Sequence, residues 1–202
     1  MPASREEHVW YTRNEYTHYP YYVELFNILK TEDIKTYLDI GANVGEVCNV
    51  YFDFLPSLEF AYLIEPEPEN YNFLLKHVKT KNYKSYDCAI GYGYKNPVLL
   101  LNSNVGGAML SDSQSPHKSS LLVKTLEELN LPNVDLIKMD IEGGEYNIIE
   151  NSSYLKNAKF IEIEFHDYSG DKPIVEYVTK TLPNYSIVVL ESIGGRCLLK
   201  KN

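Results

Sequence analysis

The segment Tyr37-Leu-Asp-Ile-Gly-Ala-Asn-Val-Gly-Glu46 constrains the fold of this chain more than any other. It reads as the end of a buried strand, a tight glycine turn and the first turn of a helix. Asp39 stands near the strand tip, two residues ahead of Gly41. Glycines let the chain turn sharply and bring bare backbone up to a nucleotide-like ligand, because no Cβ stands in the way.

The rest of the sequence repeats the alternation. Strands are expected at 36–40, 60–64, 83–90, 134–139 and 159–165, with helices at 44–55, 68–78, 125–131, 145–154 and 173–182. Apolar strands separated by helices indicate an α/β fold with a mostly parallel sheet covered on both faces. Segments 185–191 and 196–200 around Gly194-Gly195 carry the mark of an antiparallel hairpin. Residues 91–118 break the rhythm. There, short strands at 98–101 and 121–124 flank a Gly/Ser-rich loop, 102–120, with Gly106-Gly107 and His117, read as an edge insertion and either a lid or a surface excursion. Residues 1–20 are polar and aromatic without a clear period, and 21–30 suggest an amphipathic helix. This tyrosine-rich extension, 1–30, is read as packing or as a lid over a pocket. A single domain over 1–202 is expected.

Ligands of open parallel sheets bind beyond the carboxyl ends of the strands, so strand ends are where the site is sought. The first strand offers Asp39, Gly41, Asn43 and Gly45. The second ends at Glu65, suited to bidentate hydrogen bonds with ribose hydroxyls. The third ends at Asp87-Cys88-Ala89, where a side chain meets an adenine edge. A pyrophosphate cradle wants a glycine where Asn43 stands. A ligand without phosphates fits better, S-adenosylmethionine (SAM) above all, with its amino and sulfonium groups favouring Asp39 directly or through water.

Lys138 and Asp140 share one face of the fourth strand, and Glu142 and Glu145 follow in the turn and helix start. An acid after Leu-Ile-Lys-Met is costly to place without purpose, which makes Asp140 the first catalytic candidate. Lys138 reads as its ion-pair partner, and Glu142 and Glu145 also suit a helix's first turn. The fifth strand ends Glu162-Ile-Glu-Phe-His166, with Glu162, Glu164 and His166 on one face.

Three blocks, Asp39-Ile-Gly-Ala-Asn-Val-Gly45, Glu65-Pro66 and Leu136-Ile-Lys-Met-Asp-Ile-Glu-Gly-Gly-Glu145, resemble the signature of the FkbM-type methyltransferases. These are class I SAM-dependent enzymes, many of which methylate hydroxyls of sugars and glycosylated products. The most specific part is Lys138-x-Asp140-x-Glu142-Gly143-x-Glu145, with a small departure at Gly144, where alanine is commoner. The resemblance implies a class I methyltransferase Rossmann-like sandwich with a mostly parallel seven-stranded sheet. It implies SAM held by Asp39, Gly41, Asn43, Gly45, Glu65, Asp87, Cys88 and Ala89, and an acceptor side formed by the Lys138–Asp140–Glu142 motif. A sugar hydroxyl is a poor acid and needs a general base, or a divalent cation to lower its pKa. Asp140, Glu164 and His166 are candidates for either, with Mg or Mn as the ion.

The expected partner is therefore a sugar or glycan acceptor. A net charge of −9 and a pI near 5.1 disfavour a nucleic-acid partner, which normally demands a basic face. No apolar run approaches a membrane span, and no signal-peptide core opens the chain. Cys48, Cys88 and Cys197 lack paired spacing and read as buried thiols of a reducing compartment. A cytoplasmic protein follows, with the sequons at Asn151 and Asn184 incidental. The small size and bare core also fit a domain of a larger glycan-building enzyme. Three alternatives are weaker: an RNA 2′-O-methyltransferase, opposed by the acidic charge; a nicotinamide-dependent oxidoreductase, opposed by Asn43; and a non-catalytic binding module, opposed by the strand-end acids.

Overall fold

Two helices precede the sheet in the computed structural model, which describes residues 4–102, 107–112, 121–166, 173–191 and 195–202. Helix α1 (Arg5–His18) starts at a capping box: Ser4 Oγ accepts the Glu7 N–H, and Glu7 Oε2 accepts the Ser4 N–H. It was not expected from hydrophobic period, because most of its residues are polar and only Tyr16 is buried. Ion pairs hold it instead, from Arg13 to Glu46 and Asp53 and from Arg5 to Glu67 and Glu69. Helix α2 (Pro20–Leu29) follows, with proline at its first position and Tyr21, Tyr22, Leu25, Phe26 and Leu29 buried.

Strand β1 (Thr36–Ile40) leads into α3 (Glu46–Phe54), β2 (Phe60–Ile64) into α4 (Pro68–His77), and β3 (Tyr83–Tyr86) ends that series. The expected third strand, 83–90, is broken. Tyr86 O accepts the Glu65 N–H, then the chain leaves the sheet, and β4 (Ala89–Ile90) pairs elsewhere. Strand β5 (Pro97–Asn102) forms where the strand 98–101 was expected, and pairs antiparallel with β6 (Gly107–Asp112), which lies inside the segment expected to be a loop. Gly106, His117 and most of 102–120 lie outside the described residues. Strand β7 (Val123–Lys124) pairs with β4.

The helix expected at 125–131 is one 3₁₀ turn, Glu127–Leu129, ended by Asn130 in the left-handed region ahead of Pro132. Glu127 is occupied in receiving the N–H groups of Ser153 and Tyr154 and the hydroxyls of Ser152 and Ser153. The chain continues through β8 (Leu136–Met139), α5 (Glu145–Asn151), β9 (Phe160–Glu164), α6 (Ile174–Thr181), β10 (Tyr185–Glu191) and β11 (Arg196–Lys201). Gly194, at the hairpin turn, lies outside the described residues.

The seven-stranded sheet has the order β10-β11-β9-β8-β1-β2-β3, parallel except where β11 pairs with β9 and β10. Successive side chains point to opposite faces. Tyr37, Leu136, Phe160 and Leu198 therefore enter one core with α1–α4, while Leu38, Ile137, Ile161 and Leu199 enter the other with α5 and α6. Strand order reverses between β1 and β8, which opens a crevice at their carboxyl ends. On the α1–α4 face, one row across the sheet reads Asp39, Lys138, Glu162. Among the described residues, no helix is long and apolar enough to cross a membrane.

Candidate active site

The β1–α3 turn is built as its glycines require. Gly41 has φ +89°, and a Cβ there would lie 1.9 Å from Asp140 O, so only glycine fits beside β8. Gly45 has φ +81° and leaves room for Leu74 on α4 and for Val78 just beyond it. Asn43, between them, takes φ +48°, a conformation asparagine tolerates. Its N–H donates to Glu65 Oε2 at 2.8 Å, and the Glu67 N–H donates to Oε1 at the same distance. Burial pushes the Glu65 carboxyl up to about 7, against the pull of those two N–H groups. Each carboxylate oxygen has a further lone pair, so hydroxyl donors from a ligand would stabilise the charged form.

A cavity of about 1020 Å³, including its open mouth, lies over this turn. Gly41, Asn43, Glu65, Cys88 and Ala89 line it. Lys138, Asp140, Glu142 and Glu164 line it as well, with Thr12, Glu15 and Tyr16 of α1 and Tyr22 of α2. Leu99 and Leu110 of the β5–β6 hairpin add an apolar wall.

Three expected cofactor residues are not on the wall. Asp39 is fully buried beneath it, with Lys138 Nζ 3.4 Å from its Oδ1. Gly45 packs against α4, and Asp87 leaves the lining to its neighbours Cys88 and Ala89. Lys138 sits 3.4 Å from Asp140 Oδ2 as well, as the ion-pair reading expects. Its ammonium is held well above the usual lysine range: burial would lower it, but Asp39, Asp140 and Glu162 outweigh that.

The turn after β8 places Glu142 in the left-handed region, φ +58°. Glu145, 0% exposed, organises that turn by accepting the N–H groups of Ile141 and Gly143 on Oε1. The same oxygen lies 3.0 Å from His166 Nδ1. Burial would lower the His166 pKa, yet Glu145, Asp140 and Glu142 push it up to about 9. Glu164 is engaged by Arg196 Nε at 3.0 Å, and Arg196 also reaches Glu191 and, on α1, Glu15. Burial and the nearby Asp140 raise Glu164 to about 7, against Arg196. Glu15 and Arg196 were missed from sequence, whereas Tyr16 belongs to the aromatic extension read as packing or a lid; the Ser4–Glu7 capping signature was an available sign of α1.

The family model for the methyltransferase FkbM domain matches residues 39–185, strand β1 through the start of β10. The chain belongs to the FkbM methyltransferase family. The FkbM core thus carries the glycine turn, Glu65 and the β8 motif, whereas α1 and α2 lie outside the matched residues. No curated protein matches the chain. Among solved structures, methyltransferase FkbM from Methylobacillus flagellatus KT is 19% identical with a TM-score of 0.57, over 83% of this chain and 44% of that one. The chain thus spans less than half of that relative's length. M. capricolum TrmK, solved with S-adenosylhomocysteine (SAH), is 13% identical with a TM-score of 0.51, over 88% of this chain and 68% of that one. The N-terminal domain of human METTL16, also with SAH, is 14% identical with a TM-score of 0.51, over 89% and 66%. These likenesses establish the shared class I fold. In the FkbM motif, Gly144 faces Ile141 Cδ1, 2.7 Å from where a Cβ would stand, so an alanine there requires only that flexible side-chain end to shift.

Proposed function

We propose that this FkbM methyltransferase transfers a methyl group from SAM to a hydroxyl of a sugar or glycan. One observation carries the choice of acceptor. Lys138 is the only lysine or arginine lining the cavity among the described residues, and it is committed to Asp39 and Asp140. The other charged groups on the acceptor side are the carboxylates Glu15, Asp140, Glu142 and Glu164. Carboxylates accept hydrogen bonds from hydroxyls. The same groups repel phosphates, which speaks against RNA.

SAM, when bound, supplies an electrophilic methyl carbon. The Gly41–Asn43 backbone, the Glu65 carboxylate and the Cys88–Ala89 segment would hold the cofactor, Glu65 by accepting hydrogen bonds from its ribose hydroxyls. Asp39 acts from below, fixing Lys138. On the acceptor side Asp140 would take the hydroxyl proton as the oxygen–carbon bond forms and the sulfur–methyl bond breaks, leaving SAH as the departing group, with the walls aligning the acceptor oxygen for the displacement. The open cavity favours an enzyme over a bare binding module. Buried Cys48, Cys88 and Cys197, all unpaired, are consistent with a cytoplasmic protein.

The test is a gain of one methylene mass on a glycan panel incubated with SAM, run beside an RNA panel. Asp140→Asn should abolish transfer while SAH still binds. Methylated RNA with untouched glycans, or full turnover by the variant, would overturn the assignment.

A further inference from the structure

We propose that Asp140, Glu142 and His166 form a divalent-cation site at the acceptor end of the cavity. Its purpose rests on the hydroxyl chemistry above; its geometry does not. One ligand atom of each residue lies within 4.8 Å of the other two, and Glu142 Oε2 is 3.7 Å from His166 Nε2. Two bonds of about 2.2 Å to a common ion span at most about 4.4 Å, so small side-chain movements close the set. All three side chains are half-buried.

The support behind His166 is a separate observation. A carboxylate on one imidazole nitrogen fixes the tautomer and turns the other nitrogen to an ion, the usual outer shell of a ligating histidine. Glu145 does this at Nδ1, and is itself pinned by two backbone N–H groups. Its other oxygen, Oε2, is buried without a hydrogen-bond partner, so the negative charge here exceeds what hydrogen bonds compensate.

Glu164, the third ligand expected from strand spacing, is replaced by Glu142. Its Oε2 is held by Arg196, and its Oε1 is 3.9 Å from His166 Nε2. Two carboxylates and an imidazole suit Mn²⁺ better than Mg²⁺, which prefers oxygen alone. Three protein ligands leave positions for water and for an acceptor hydroxyl, whose pKa the ion lowers beside Asp140.

Mn²⁺ titration of the full chain, followed by electron paramagnetic resonance, tests the site, with SAH stabilisation measured on the same samples. The expected result is one Mn²⁺ per chain, bound at least about tenfold more weakly by E142Q and H166Q and similarly weakened by E145Q. E164Q should bind as the unaltered chain does. Absence of saturable Mn²⁺ binding by protein that SAH still stabilises would overturn the site and leave the donor reading standing. Equal binding by E142Q and H166Q, or loss confined to E164Q, would also overturn it. Mn²⁺ binding without SAH binding would keep the site and sink the donor reading. Should H166Q fail to fold, E142Q, at a half-buried turn position, decides.

Discussion

Lys138 and Asp39 face each other beneath the cavity floor, Nζ to Oδ1 3.4 Å, with side chains 3% and 0% exposed. They belong to adjacent central strands in direct register. Neither Asp39 oxygen has a hydrogen bond of good geometry, so the ammonium is its main compensation. Removing one member strands the other's charge in the core. Lys138→Met should destabilise the fold by about 3–5 kcal/mol, and the Lys138→Met/Asp39→Leu double variant by less than the two single changes summed. Urea unfolding of the four proteins in the cycle measures this; strict additivity would mean that the pair does not interact.

Gly41→Ala places a methyl group 1.9 Å from Asp140 O, at a φ that alanine avoids. The turn must move away from β8, taking Asn43 with it. SAH affinity should fall by at least about a hundredfold, or roughly 2.7 kcal/mol. Calorimetric titration checks it, and an unimpaired variant would place the donor elsewhere.

Glu65 ties the glycine turn to β2 through two backbone N–H groups while lining the cavity. Glu65→Gln keeps the shape but offers an NH₂ where one N–H now points. SAH binding should weaken about tenfold, close to 1.4 kcal/mol, with the far-ultraviolet circular dichroism unchanged.

Burial raises Glu162 from 4.5 to about 8, although the Tyr51 hydroxyl donates to it and Lys138 stands nearby. A raised carboxyl binds its proton more tightly in the folded state. Its contribution to stability is complete below about pH 4.5 and is lost as pH rises through about 8. Glu162→Gln, a mimic of the protonated form, should therefore flatten the fall in melting temperature across that window. Parallel curves for the two proteins would contradict the assignment.

Much of this fold was legible because period and punctuation are local properties. The five parallel strands were placed by their apolar runs, the glycine turn by Gly41 and Gly45, and the hairpin by its flanking strands. Errors came where partners decide the outcome. Residues 83–90 carry strand composition throughout, yet the chain changes sheets after Tyr86 because Leu122 and Lys124 offer β4 its hydrogen bonds. Helix α1 shows little amphipathic period, and ion pairs with distant residues hold it against α3 and β11.

The site divides along the same line. The sequence alone determined the glycine turn and its acid neighbour, because Gly41, Asn43 and Glu65 are placed by backbone geometry fixed within one strand–turn unit and the strand beside it. Spacing along a strand likewise put Lys138, Asp140, Glu162 and Glu164 on one face. Only the tertiary structure decided which of these meet the cavity. It sank Asp39 under Lys138, assigned Glu164 to Arg196, and turned Glu142 toward His166. Those outcomes depend on charge pairing across strands far apart in sequence, where a few ångströms of register and burial determine whether a carboxylate is a ligand, a counterion or part of the core.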